Sequence, residues 1–146
     1  FVARDRAPSS GIYGLIIQSG DNAVEVIKAS HPFAYHVSPD RAAGFIDKIP
    51  PLFLAIDRSK SSAIELELRT ENSMEAVKAR VYSEKGTELW SGVVDGVRSV
   101  RIGAPHGRYV RVEFGRMLFH TLEDVWVRGV KGVLPFAATD PSCLFY

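Results

Sequence analysis

Tyr82, Tyr109, Trp90 and Trp126 stand in a stretch that also carries Arg80, Arg98, Arg101, Arg108, Arg111 and Arg116. Flat aromatic rings stack on the apolar faces of sugars while neighbouring polar groups address the hydroxyls, so this combination suits carbohydrate recognition. The same arginines on one sheet face could meet an anionic polymer. They could equally pair across strands with Glu65, Glu67, Glu88 and Glu113 as an ordinary solvated face, which is the simpler account. Tyr82 and Tyr109 fall on the polar parity of their segments and make the better exposed platform. Tryptophan in a sandwich more often fills core, and Trp90 and Trp126 read that way first. Trp126 still joins Tyr82, Tyr109, Arg108 and Arg111 as the candidate ligand-binding set.

Catalytic chemistry finds little to build on. His31, His36, His106 and His120 lack the Cys or His spacings of a zinc site, and the five-residue step from His31 to His36 across Pro32 reads as a surface connection. Gly11-Ile12-Tyr13-Gly14 lacks the third glycine and the Lys-Ser/Thr pair that would hold phosphates. No Gly-x-Ser-x-Gly elbow occurs, and no histidine is identifiable as a partner for Cys143. Scattered carboxylates leave a paired-acid hydrolase open, since sequence cannot place two of them a few ångströms apart. The expectation is a chain with no catalytic residues and no cofactor.

These side chains must be positioned by strands. From Ala63 to Arg128 the period is two: Ile64, Leu66 and Leu68 alternate with Glu65, Glu67 and Arg69, and Val77, Ala79 and Val81 alternate with Lys78, Arg80 and Tyr82. The two runs are expected to be neighbouring strands. Ser83-Glu84-Lys85-Gly86 predicts a hairpin turn into Thr87–Val93, and Asp95-Gly96 and Ala104-Pro105-His106-Gly107 predict the next two turns. Val110, Val112 and Phe114 alternate with Arg111 and Glu113 in the strand that follows. Earlier, Ile12–Gln18, Ala23–Lys28, Phe33–Val37 and Leu52–Asp57 each suit a short strand. Ser38 as cap, Pro39 at the first position and Pro50 as stop predict one short helix over Pro39–Ile49, weakened by Gly44. Gly129–Tyr146 loses alternation and ends in Cys143-Leu144-Phe145-Tyr146, an apolar tail that must pack on something.

Composition bounds the whole. A chain of 146 residues, 46% hydrophobic and 24% charged, is one ordinary folded domain spanning 1–146. With 18 Lys plus Arg against 17 Asp plus Glu, the net charge of +1 gives no global reason to expect nucleic acid. Apolar runs such as Pro50–Ile56 fall far short of the ~18 residues of a membrane helix. The start at Phe1 suggests a processed chain or a piece of a larger protein. The lone Cys143 cannot close an internal disulfide and reads as a small apolar filler. The fold class expected is all-β: an antiparallel two-sheet sandwich of jelly-roll type with at most one short helix.

Gly107-Arg108-Tyr109-Val110-Arg111-Val112-Glu113-Phe114 and Leu122-Glu123-Asp124-Val125-Trp126-Val127-Arg128-Gly129 resemble the closing strands of galactose-binding-like, discoidin-type jelly rolls. The likeness covers the last third of the chain; the family's early Asp-Gly and Trp region has no counterpart here. It implies a carbohydrate-binding or adhesive accessory module on a secreted or cell-surface protein, with a glycan or polysaccharide as partner. It also implies structural calcium, for which Asp21, Asp57 and Asp95 are too dispersed to assign as ligands. The alternative is an assembly domain whose strand edges and apolar tail engage a protein partner or a second copy of the chain.

Overall fold

The computed structural model describes residues 31–46, 49–59, 63–71, 73–118, 120 and 124–144, together with Ser9, Gly11, Tyr13, Val26 and Ala29. Ten strands are formed there: β1 (Tyr35–His36), β2 (Ala43–Phe45), β3 (Leu52–Ile56), β4 (Ala63–Thr70), β5 (Val77–Ser83), β6 (Glu88–Val94), β7 (Val97–Gly103), β8 (Tyr109–Arg116), β9 (Val125–Lys131) and β10 (Val133–Ala138). Among the described residues there is no α-helix, only two single 3₁₀ turns.

A larger sheet runs β1-β10-β3-β8-β5-β6 and a smaller one β2-β9-β4-β7, with every pairing antiparallel. If the β5–β6 hairpin is set aside and the other eight strands are renumbered in order, the sheets read 1-8-3-6 and 2-7-4-5. That is the double Greek key of a jelly roll, here widened on one side by an inserted hairpin. The inner faces interdigitate into one core that takes Leu52 and Leu54 from β3, Ile64, Leu66 and Leu68 from β4, Val77 and Val81 from β5, and Val110 and Val112 from β8. Alternation read from the sequence thus assigns the buried side of β4, β5 and β8 correctly, because a side-chain period of two leaves one register for one buried face.

Three expectations are corrected. The runs 63–69 and 77–82 are not neighbours: β4 lies between β7 and β9, whereas β5 lies between β6 and β8 in the other sheet. The chain crosses between sheets through Ser73–Glu75. The helix over Pro39–Ile49 does not form. Ser38 N–H donates to the Arg41 carbonyl at 2.8 Å and Arg41 N–H to the Ser38 carbonyl at 3.0 Å, which makes 38–41 a tight turn into β2. Pro39 fits the second position of such a turn as well as the first of a helix. Ala43 and Phe45 then alternate buried with exposed Gly44, a strand pattern.

The third correction concerns the C-terminal stretch, which is no tail up to residue 138. β10 lies between β1 and β3, and Pro135 is accommodated where its register with β3 shifts between Val133 and Ala137. Leu144 beyond it is buried on the outer face of the larger sheet against Ala55 and Ala138, while Cys143 packs half-buried beside them. Of the earlier strand assignments, Phe33–Val37 narrows to β1 and Leu52–Asp57 to β3, while 12–18 and 23–28, apart from Tyr13 and Val26, lie outside the described residues.

Candidate functional site

The outer face of the larger sheet gathers most of the predicted set. On β8 the inward residues are Val110 and Val112, so Tyr109, Arg111 and Glu113 point outward; on β5 the same logic turns Lys78, Arg80 and Tyr82 outward. Register places Tyr82 opposite Arg111 and Arg80 opposite Glu113. The Arg111 guanidinium carbon lies 4.8 Å from the centre of the Tyr82 ring, a cation–π arrangement. Arg111 Nε also sits 2.9 Å from Glu113 Oε1, though off the line of a hydrogen bond, so this is an ion contact. Arg80 Nη1 approaches the Tyr82 hydroxyl at 3.5 Å and its Nε lies 3.9 Å from Glu88 Oε2. The Tyr82 hydroxyl, with Glu88 and Glu113 adding to it, raises the Arg80 pKa.

Tyr109 stands differently. Its ring meets Phe53 edge-on at 5.4 Å between centres and belongs to a second apolar cluster with Ala55, Ala138 and Leu144. It borders the platform and is also a packing residue. Arg108 ends the turn before β8 and is held by Glu84: its Nε and Nη2 donate to Oε1 at 2.8 and 2.7 Å, and its backbone N–H donates to Oε2 at 2.8 Å. These bonds pull the Glu84 carboxyl below its ordinary pKa, with Arg58 adding to the effect.

Trp126 is not with the others. It lies on the outer face of the smaller sheet, opposite Gly44 and Arg69 in register, with the Arg69 guanidinium carbon 5.2 Å from its ring centre. The reading of Trp126 as core is therefore corrected to a half-buried ring spread over a glycine; a Cβ at position 44 would stand 2.6 Å from its Nε1. Trp90, by contrast, packs half-buried against the core from β6. On this outer face the arginines are paired: Arg69 beside Trp126 with Glu71 at 3.4 Å, Arg128 with Glu67 at 3.4 Å and, farther along, Arg101 with Glu65 at 3.6 Å. Such exposed pairs contribute about 0–1 kcal/mol each and describe a solvated surface.

The chain has no match among family models, characterised proteins or solved structures. The likeness to galactose-binding-like domains rests on the residues of two strands alone. Among the described residues no three His, Cys, Asp or Glu side chains converge, and Asp21, one of the residues considered for calcium, lies outside them. Asp57, one of the residues considered for it, is buried and directs Oδ1 to the Ser59 N–H at 3.0 Å and hydroxyl at 2.6 Å. Arg58 is the residue that sequence reasoning passed over: its Nη2 donates to the Gly107 carbonyl at 2.8 Å, across 49 positions of chain. No local pattern announces such a contact, because only the strand order brings those two turns together.

Proposed function

We propose that this chain is a non-catalytic binding module whose ligand is a carbohydrate, received on the outer face of the larger sheet. The observation that carries the reading is Tyr82, an aromatic ring on a polar face beside Arg111 and within reach of Arg80, Glu88 and Glu113. Rings provide stacking area, and charged groups already held by partners lose little freedom when they meet hydroxyls. An accessory role on a secreted or cell-surface protein follows from the same reading. The test is binding of the 146-residue chain to an array of neutral and charged glycans, with and without calcium. Tyr82→Ala should remove binding by tenfold or more, corresponding to about 1.4 kcal/mol, and leave the far-ultraviolet circular dichroism unchanged. A silent array, or full binding by Tyr82→Ala, would overturn the proposal.

Assembly is the second reading, and one edge favours it. β6 ends the larger sheet, and after Glu88 at its start the run Leu89-Trp90-Ser91-Gly92-Val93-Val94 offers neither charge nor proline, whereas the β7 edge of the other sheet carries Arg98 and Arg101. Uncharged edges invite strand pairing. Under this reading the sedimentation mass rises with protein concentration and Val93→Lys restores a monomer; a constant monomer mass would remove it.

A further inference from the structure

The two ends of the sandwich differ in charge, and the difference points to a ligand. The turns after β1, β3, β5, β7 and β9 share one end, as the antiparallel pairing of β1 with β10 and the bonds from Ile56 N–H to the Arg108 carbonyl and from Asp57 N–H to the Gly132 carbonyl require. Exposed Arg41, Arg58, Lys85 and Arg108 stand on these turns and Lys131 ends β9 beside them, with Asp40, Asp57 and Glu84 as the acidic residues among them; Asp40 offsets its neighbour Arg41 in the count of charge. Glu84 is engaged by Arg108, and Asp57 is buried in its contacts with Ser59. Arg58, Lys85 and Lys131 have no carboxylate within ion-pair distance among the described residues. The opposite end presents Glu71, Asp95, Asp124 and Asp140, with Arg116 among them.

We propose that the basic end, formed by Arg58, Lys85, Arg108 and Lys131, receives the sulfate or carboxylate groups of an acidic polysaccharide. This rests on the carbohydrate reading above and names the class of sugar. Three observations join it to the platform. Arg108 directly precedes Tyr109, Glu84 follows Tyr82 by two residues, and both tyrosines sit at the end of their strands nearest these turns. A chain stacked on Tyr82 therefore runs toward the cations. Arg58 spends one Nη2 donor on the Gly107 carbonyl, so its guanidinium is held by a neutral partner while its charge adds to the field that lowers the Glu84 pKa. A planar fork so held suits the oxygens of a sulfate or carboxylate. Arg58, Lys85, Arg108 and Lys131 share one end, and Glu88 and Glu113 flank the platform, so the charge there suits a few anionic groups and not a continuous phosphate backbone.

The experiment compares the 146-residue chain with two triple variants of equal charge change. Arg58→Gln/Lys85→Gln/Lys131→Gln removes the end; Arg69→Gln/Arg98→Gln/Arg116→Gln removes three exposed cations at the opposite end. Binding to immobilised heparin, dextran and duplex DNA is measured across a salt series, with thermal melting as the check on folding. The expected result is heparin binding that weakens with salt, falls about tenfold or more in the first variant and changes little in the second. Equal losses in both variants, salt-insensitive binding, tighter binding of DNA than of heparin, or no heparin binding would each overturn the proposal. Dextran bound through Tyr82 with heparin refused would overturn the acidic-sugar assignment alone. Refusal of both, and of the neutral array, would overturn the carbohydrate reading as well.

Discussion

Gly132→Ala should destabilise the domain by about 3 kcal/mol or more, a large share of the ~5–15 kcal/mol that separates an ordinary folded domain from its unfolded chain. Gly132 makes the turn between β9 and β10 with φ of 70°. Left-handed backbone costs a residue with a Cβ about 1–2 kcal/mol. A Cβ there would also drive into the carbonyl oxygen of Ala63 and stand 3.1 Å from the Ile64 Cα. Both obstacles are backbone of β4, the strand to which β9 is paired, so relief would require moving the strand pairing itself. The Gly132 carbonyl meanwhile accepts the Asp57 N–H at 3.0 Å, tying the turn to the end of β3. Gly86→Ala is the control. Its φ is 83°, yet nothing lies within 4 Å of the added carbon, so it should cost only the conformational strain. Urea unfolding of both variants separates strain from collision, and equal midpoints would show that the collision relaxes without cost.

The comparison of two turns shows what the sequence could and could not convey. Gly86 and Gly96 both follow polar residues, both adopt positive φ, and both were legible as reversals. Gly86 returns β5 to β6 in the same sheet, while Gly96 carries the chain from β6 across to β7 in the other. The difference lies in Thr70, 26 residues earlier: its hydroxyl accepts the Gly96 N–H at 3.0 Å and its own N–H donates to the Gly96 carbonyl at 2.9 Å. Thr70 ends β4, so it fixes the crossing to the smaller sheet. Period and turn chemistry are local and were readable; the sheet to which a strand belongs is decided by such long-range bonds. The same limit separates the site residues. Tyr82 and Arg111 meet because β5 and β8 pair, whereas Trp126, two residues before Arg128 on β9, faces away on the other sheet.

Leu66→Ala should cost about 4 kcal/mol, toward the upper part of the 2–5 kcal/mol range for such truncations. Leu66 is fully buried in β4, flanked by β9 and β7. Its register partner on β9 is Gly129, and on β7 it is Val100. A glycine has no side chain to lean into the vacated space. Nor can Gly129 readily be moved, since a Cβ there would lie 2.7 Å from Val133 Cγ2 and 3.3 Å from the Val37 carbonyl, a measure of how closely its surroundings pack. The cavity should therefore persist, and it is the residual cavity that adds to the lost transfer energy. Leu68, equally buried and two residues along the same strand, faces Val127 on β9, a side chain that can shift toward a truncated neighbour. Leu68→Ala should accordingly cost less, about 3 kcal/mol. Chemical denaturation of the two variants under one condition tests the ordering, and a Leu68→Ala loss equal to or larger than that of Leu66→Ala would mean that packing across the two sheets, and not the neighbouring strand, sets the cost.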